Sequence, residues 1–134
     1  MAAATPFTLQ GFLRYPPDDG EADADMPFSL QGTYKDEVKL TLNLSASGTK
    51  VLDFGTLTLL GAKAILIEVA PVSGGDTAAP VMIRVNGGIE DIEISQGGFL
   101  AFGSPNPAVG LLGLEIVHTQ NACVKVRVLV QEGS

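Results

Sequence analysis

Residue types that could carry chemistry are few in this chain. It has one histidine, His118, and one cysteine, Cys123, which stand five positions apart across a predicted turn. A thiolate beside an imidazole is a nucleophile and base pair, so this spacing raises cysteine catalysis as one interpretation. A reactive thiolate needs an electropositive, partly open site, whereas Cys123 begins a valine-rich run in which a small apolar residue is ordinary. We therefore expect no catalytic residue and predict that the protein is not an enzyme.

Metal and cofactor sites also have little support in the sequence. A cupin-type metal site needs at least two imidazoles, and the chain has one. Residues 18–25 hold five of the 15 acidic residues, which raises calcium binding, but the glycine and the closing glutamate of a calcium loop are not in place. A solvated charged loop is the favoured interpretation, and a docking segment for a basic partner is the other. We predict no metal and no cofactor.

Glu90, Asp91 and Glu93 could supply the paired carboxylates of a glycosidase. Their alternation with isoleucines instead indicates the exposed face of a strand, and the chain has no tryptophan to stack on a sugar. The formal net charge of −7 repels a phosphate backbone, so we expect no nucleic-acid partner. No apolar run approaches the roughly 18 residues of a membrane span, and the N-terminus lacks a secretory pattern. We expect no membrane partner and synthesis in a reducing interior.

Residues 38–131 consist of short segments in which apolar and polar side chains alternate. The clearest begins at Val124, where valine occupies every second position up to Val130. Residues 51–59 alternate imperfectly around Gly55, which predicts a strand with a bulge or a bend at this glycine. About eight such segments, separated by turn residues, predict a single all-β domain that is an antiparallel β-sandwich. A jelly roll of about eight strands is favoured over an immunoglobulin-like sandwich.

The first 37 residues follow a different pattern. The sequence PFTLQG at residues 6–11 recurs as PFSLQG at residues 27–32, with an acidic loop between the copies. In one interpretation two strand-like pieces share a local pattern. In the other, the first copy is an extended arm that adds to a sheet edge of its own or a neighbouring chain. We assign residues 1–37 to an N-terminal arm with an acidic loop and residues 38–134 to the β-sandwich domain.

Several segments carry a family resemblance, which extends over about residues 38–131. The segments are GTKV at 48–51, VMIRVNGGI at 81–89, GGF at 97–99, SPNP at 104–107, LEI at 114–116 and CVKVRV at 123–128. Together they resemble small virion proteins of tailed bacteriophages. They are most like the capsid cement, or decoration, proteins of short-tailed phages such as those of Bordetella, which fold as jelly rolls.

The resemblance implies a virion structural protein, made in the host cytoplasm, that binds the outside of a phage capsid and bridges its subunits. Its implied partners are the major capsid protein and further copies of itself in a homo-oligomer. A binding module associated with a phage tail or fibre is the alternative, although the chain has few aromatic residues for recognition. On this reading the predicted protein-interaction residues of the arm are Phe7, Leu9, Phe28 and Leu30.

Overall fold

The computed structural model describes residues 5–15, 24–71, 79–88, 91–104 and 112–133. These described ranges contain ten β-strands, all paired antiparallel, and one 3₁₀ turn at Leu59–Gly61. No helix in them is long and apolar enough to cross a membrane. The predicted all-β class is confirmed. The strands are β1 Thr5–Tyr15, β2 Ala24–Tyr34, β3 Asp36–Leu44, β4 Gly48–Val51, β5 Ala62–Val69, β6 Val81–Val85, β7 Asp91–Ile94, β8 Phe99–Gly103, β9 Leu114–His118 and β10 Val124–Glu132.

Strands β3 to β10 form two four-stranded sheets in the order of a jelly roll. The first sheet has the order β3-β10-β5-β8 and the second the order β4-β9-β6-β7. The pairs are nested along the chain, because β3 pairs with β10, β4 with β9, β5 with β8 and β6 with β7. The eight strands thus follow one long hairpin, in which β3 to β6 form one arm and β7 to β10 form the returning arm. When this long hairpin folds on itself, β10 also pairs with β5 and β9 also pairs with β6. This topology confirms the predicted jelly roll.

The core lies between the two sheets and follows from the alternation in the sequence. The four valines of β10 from Val124 to Val130 are buried in the same core as Ile83 and Ile116 of the second sheet. Burying one such side chain completely stabilises the fold by about 1.5–3 kcal/mol. Every buried member of this core lies between Leu52 and Val130, so strands β1 and β2 contribute none of its buried residues.

Residues 51–59 do not form the predicted strand, although the chain does turn at Gly55, where a bulge or a bend was predicted. Strand β4 ends where this segment begins, and Gly55 adopts a φ of 66°, which is left-handed rather than extended. The Asp53 carboxylate accepts a hydrogen bond from the Gly55 N–H at 2.9 Å and stabilises the turn. Phe54 and Leu57 are nevertheless buried. The alternation therefore predicted correctly which side chains are buried, but these residues lie in a loop and not in a strand.

Strands β1 and β2 pair only with each other and form a separate two-stranded sheet, here called the N-terminal hairpin. Each strand has 11 residues, so the N-terminal hairpin is about 35 Å long. A single residue, Lys35, separates β2 from β3. The predicted extended arm is therefore a hairpin in which the first repeat copy pairs with the second. The loop with the acidic run lies mainly outside the described residues.

Candidate interaction surface

The sequence repeat determines how the N-terminal hairpin pairs. The copies at residues 6–11 and 27–32 run antiparallel, and Leu9 lies directly opposite Leu30 at their centre. Each copy therefore meets the other around a local two-fold axis through this leucine pair. The repeat is self-complementary, which favours the interpretation that two strand-like pieces share one pattern.

Each phenylalanine of the repeat covers a glycine of the opposite copy. Phe7 pairs with Gly32, and Gly11 pairs with Phe28. A Cβ atom at Gly11 would lie 2.7 Å from Phe28 Cζ, and one at Gly32 would lie 3.0 Å from Phe7 Cε1. The rings occupy the space that side chains at the glycines would need. Cross-strand packing of an aromatic ring over a glycine is a known way to stabilise a strand pair and fix its register.

The two faces of the N-terminal hairpin differ in polarity. Directly opposite residues share a face, and successive residues alternate between faces. One face carries Phe12 among polar side chains, and Arg14 lies over the Phe12 ring at 5.1 Å. The other face, here called the apolar face, has no charged side chain. The apolar face carries Phe7, Leu9, Leu13, Met26, Phe28, Leu30 and Tyr34, together with Thr5, Gly11 and Gly32.

The apolar face lies on the outer side of the first sheet at β8. A Cβ atom at Gly103 would lie 2.8 Å from the Cδ2 atoms of both Leu9 and Leu30. Gly103 points away from the core, because its neighbour Phe102 pairs with the inward-facing Ile65. The absence of a side chain at Gly103 allows the leucine pair to contact the strand.

A groove of about 480 Å³ separates the N-terminal hairpin from β8. Four large apolar side chains, two that line this groove and two farther along the same hairpin face, remain in water and are here called the apolar strip. Leu13 and Met26, which pair across the hairpin, are 62% and 65% exposed, whereas Phe28 and Phe99 are 49% and 66% exposed. The groove is lined by Leu9, Phe28, Ser29, Leu30, Phe99, Ala101 and Gly103.

The predicted interaction residues thus occupy different environments. Leu9 and Leu30 are half-buried against Gly103 of β8 in the same chain. Phe7 is half-buried over Gly32, and Phe28 is exposed at the groove. Whether they contact another protein stays a prediction. Sequence reasoning missed Phe99, Leu13 and Met26. The signal for the last two was available, because pairing Leu9 with Leu30 also places Leu13 opposite Met26.

Polar contacts surround the junction between the N-terminal hairpin and the sandwich. The Lys35 N–H donates to the Glu132 carbonyl at 2.9 Å, and inside the sandwich Gln131 Nε2 of β10 donates to a Glu37 carboxylate oxygen of β3 at 2.9 Å. The hydrogen bond from Gln131 is the main cause that lowers the pKa of Glu37, with smaller contributions from Lys39 and Tyr34. Burial, followed by the Glu37 carboxylate, raises the pKa of Tyr34.

The lowered pKa of Glu37 predicts a pH dependence of stability. The folded state holds this carboxylate ionised, so its contribution is present above the unfolded glutamate value of about 4.3 and is lost as the pH falls through the lower folded value. Glu37→Gln should cost less than about 1 kcal/mol at neutral pH, because solvent screens this partly exposed group. Its free energy of unfolding should also fall less steeply than that of the wild type below about pH 5. Urea unfolding at several pH values measures both effects, and parallel curves for the two proteins would contradict the assignment.

The residues considered for catalysis have other contacts. His118 is buried, and its Nε2 donates to the Ala122 carbonyl at 2.7 Å. This hydrogen bond links the end of β9 to the turn that precedes β10. The Nδ1 of His118 is buried and has no hydrogen-bond partner in the described part of the chain. Cys123, which directly precedes β10, is an exposed free thiol.

The acidic residues considered for catalysis or for metal binding have other contacts, are exposed, or lie outside the described residues. Asp91 accepts a hydrogen bond from Arg84 Nε at 2.8 Å across β6 and β7, and Glu93 is exposed. Glu90 and most of the run at 18–25 fall outside the described residues. Among the residues that the structure does describe, no three histidine, cysteine or acidic side chains form a group that could hold a metal ion.

Comparisons with known proteins give likenesses of fold. No protein-family model and no curated protein matches the chain. The solved structure of the SPBc2 prophage-derived protein YomS is similar with a TM-score of 0.42 and 10% identity, over 72% of this chain and 96% of that one. A chain from the disulfide-linked pili of Bacillus endospore appendages is similar with a TM-score of 0.39 and 12% identity, over 74% and 88%. At these values neither likeness says what this chain binds or does.

Proposed function

We propose that the protein is a virion structural protein that binds the outside of a phage capsid and bridges neighbouring subunits, as a cement or decoration protein does. The observation that carries the proposal is the N-terminal hairpin on a jelly roll, with Leu13, Met26 and Phe28 left in water. Contiguous apolar surface with a polar surround marks a site of protein contact. The sequence resemblance to phage virion proteins supplies the class of partner.

The proposed role is mechanical and needs no catalytic step. A protein that binds only the assembled lattice shifts the equilibrium toward that lattice by mass action. The N-terminal hairpin, about 35 Å long, gives the reach to contact a subunit beside the one on which the sandwich sits. The net charge of −7 disfavours contact with the packaged genome. In this proposal the protein acts on the capsid surface, through the major capsid protein and further copies of itself.

Binding to isolated shells tests the proposal. The full chain is mixed with DNA-free shells of the encoding phage that were assembled without it, and bound copies are counted after sedimentation. We expect binding to saturate at a copy number comparable with that of the capsid subunit, and calorimetry should show that the shells break down at a higher temperature. Absence of binding would overturn the proposal. A few copies on each complete virion, with none on shells, would instead support the tail or fibre module.

A further inference from the structure

The apolar strip is large for a surface that stays in water. Large apolar side chains have roughly 200 Å² of surface each, so the exposed fractions of Leu13, Met26, Phe28 and Phe99 leave about 500 Å² uncovered. A standard interface covers about 800 Å² on each partner, and about 65% of a homodimer interface is apolar, which is again about 500 Å². The apolar strip therefore matches the apolar part of one side of a homodimer.

Charge favours this surface for contact between identical chains. Each copy carries a net charge of −7, so two copies repel each other wherever their charged groups approach. The outer face of the first sheet, where a second groove lies, carries Lys39, Glu68 and Arg127. The groove beside the apolar strip has no charged side chain in its lining. Two copies can meet over this groove while Glu68, the charged residue opposite Phe99, keeps its ion pair with Arg127, so no unpaired charge is buried there.

The shape of the surface also suits a symmetric contact. A two-fold interface pairs a surface with itself, so projections and hollows must occur on the same patch. Here the exposed Phe28 and Phe99 rings stand beside a groove of about 480 Å³. Strand addition along the N-terminal hairpin is less favourable, because Pro6 in β1 and Pro27 in β2 each lack a backbone donor.

We propose that a second copy of this chain covers the apolar strip across a two-fold axis, with the Phe99 ring of each copy entering the groove of the other. The inference deepens the self-association in the proposed function and rests on that part of it. A dimer of this form presents two hairpins and two sandwiches, so it can engage two capsid subunits at once. The gain in affinity from such a link comes from effective concentration rather than from new contacts.

Sedimentation equilibrium of the purified full chain tests the inference without any capsid. Over about 1–100 μM protein, the wild type should show the mass of two chains. Phe99→Lys should raise the dissociation constant of the dimer at least about 30-fold, because it places a charge in the centre of the interface. The lysine would lie opposite the Glu68 carboxylate of β5, an opposite charge across the strand pair, so we expect the fold to be retained. The matched control is Phe12→Lys, the same change at a residue 59% exposed on the opposite hairpin face, and its constant should stay within about two-fold.

Each outcome decides the inference. A wild type that remains monomeric throughout, or equal effects of the two lysine variants, would overturn it. If Phe99→Lys loses the β signal in circular dichroism, Met26→Lys replaces it, with the same expected loss of the dimer. Dimers that form but fail to bind shells would refute the capsid role alone. Monomers that bind shells would refute the dimer alone.

Discussion

A chain that begins at Lys35 is expected to lose its binding to capsid shells while its circular dichroism keeps the β-sheet signal. The deletion removes the N-terminal hairpin and none of the described residues of the buried core, which begin at Leu52. The main packing lost is that of Leu9 and Leu30 on Gly103, so the free energy of unfolding should fall by no more than about 2 kcal/mol. The deletion ends after β2, because an unpaired β2 would expose a long strand edge and aggregate. Shell sedimentation and urea unfolding measure the two effects.

Two results would change this interpretation. Shell binding that is unchanged by the deletion would mean that the N-terminal hairpin makes no contact with the capsid. Loss of the β signal would mean that the sandwich needs the hairpin, and the full-length double variant Leu13→Lys, Met26→Lys then takes its place. Its matched control is the double variant Thr8→Lys, Gln10→Lys, which adds the same charge at exposed positions on the other face of the hairpin. Only the first pair should reduce binding.

The alternation of side chains was enough to predict the sandwich because it directly reports which residues face the core. The valines of β10 are buried as predicted, and the Asn86-Gly87 turn has the two positive φ angles, 57° and 65°, that a tight hairpin turn requires. The same signal failed at residues 51–59, where Gly55 leaves the extended region while Phe54 stays buried. Periodicity describes burial, and a loop that covers the end of a core can satisfy it as well as a strand.

The candidate surface was less accessible from the sequence because it depends on contacts between distant segments. The repeat was enough to predict how β1 pairs with β2, because placing each phenylalanine opposite a glycine of the other copy sets the register. The position of the hairpin on the sheet has no such signal. It depends on the direction in which the chain leaves Lys35 and on the fit of Leu9 and Leu30 against Gly103. Phe99 therefore looked like an ordinary strand residue and not part of a surface shared with the hairpin.

Glu132 joins three parts of the fold, and Glu132→Ala is expected to lower the free energy of unfolding by about 2 kcal/mol. Its carboxylate accepts hydrogen bonds from the Thr58 backbone N–H at 2.8 Å and from the Thr58 hydroxyl at 3.2 Å. Its other oxygen lies 3.8 Å from Lys35 Nζ, and the side chain is only 12% exposed. Alanine would leave the Thr58 N–H without its acceptor, and a backbone donor that loses its partner carries most of the cost.

Glu132→Gln separates the two contributions because the amide oxygen can still accept from the Thr58 N–H. This variant loses only the charge opposite Lys35, whose side chain is about half exposed, so it should cost less than about 1 kcal/mol. Urea unfolding with unchanged m-values measures both variants on the same scale. Equal losses would assign the stabilisation to the charge pair with Lys35. A loss confined to alanine would show that this carboxylate stabilises the junction by accepting from the loop before β5, beside the residue from which the N-terminal hairpin leaves the sandwich.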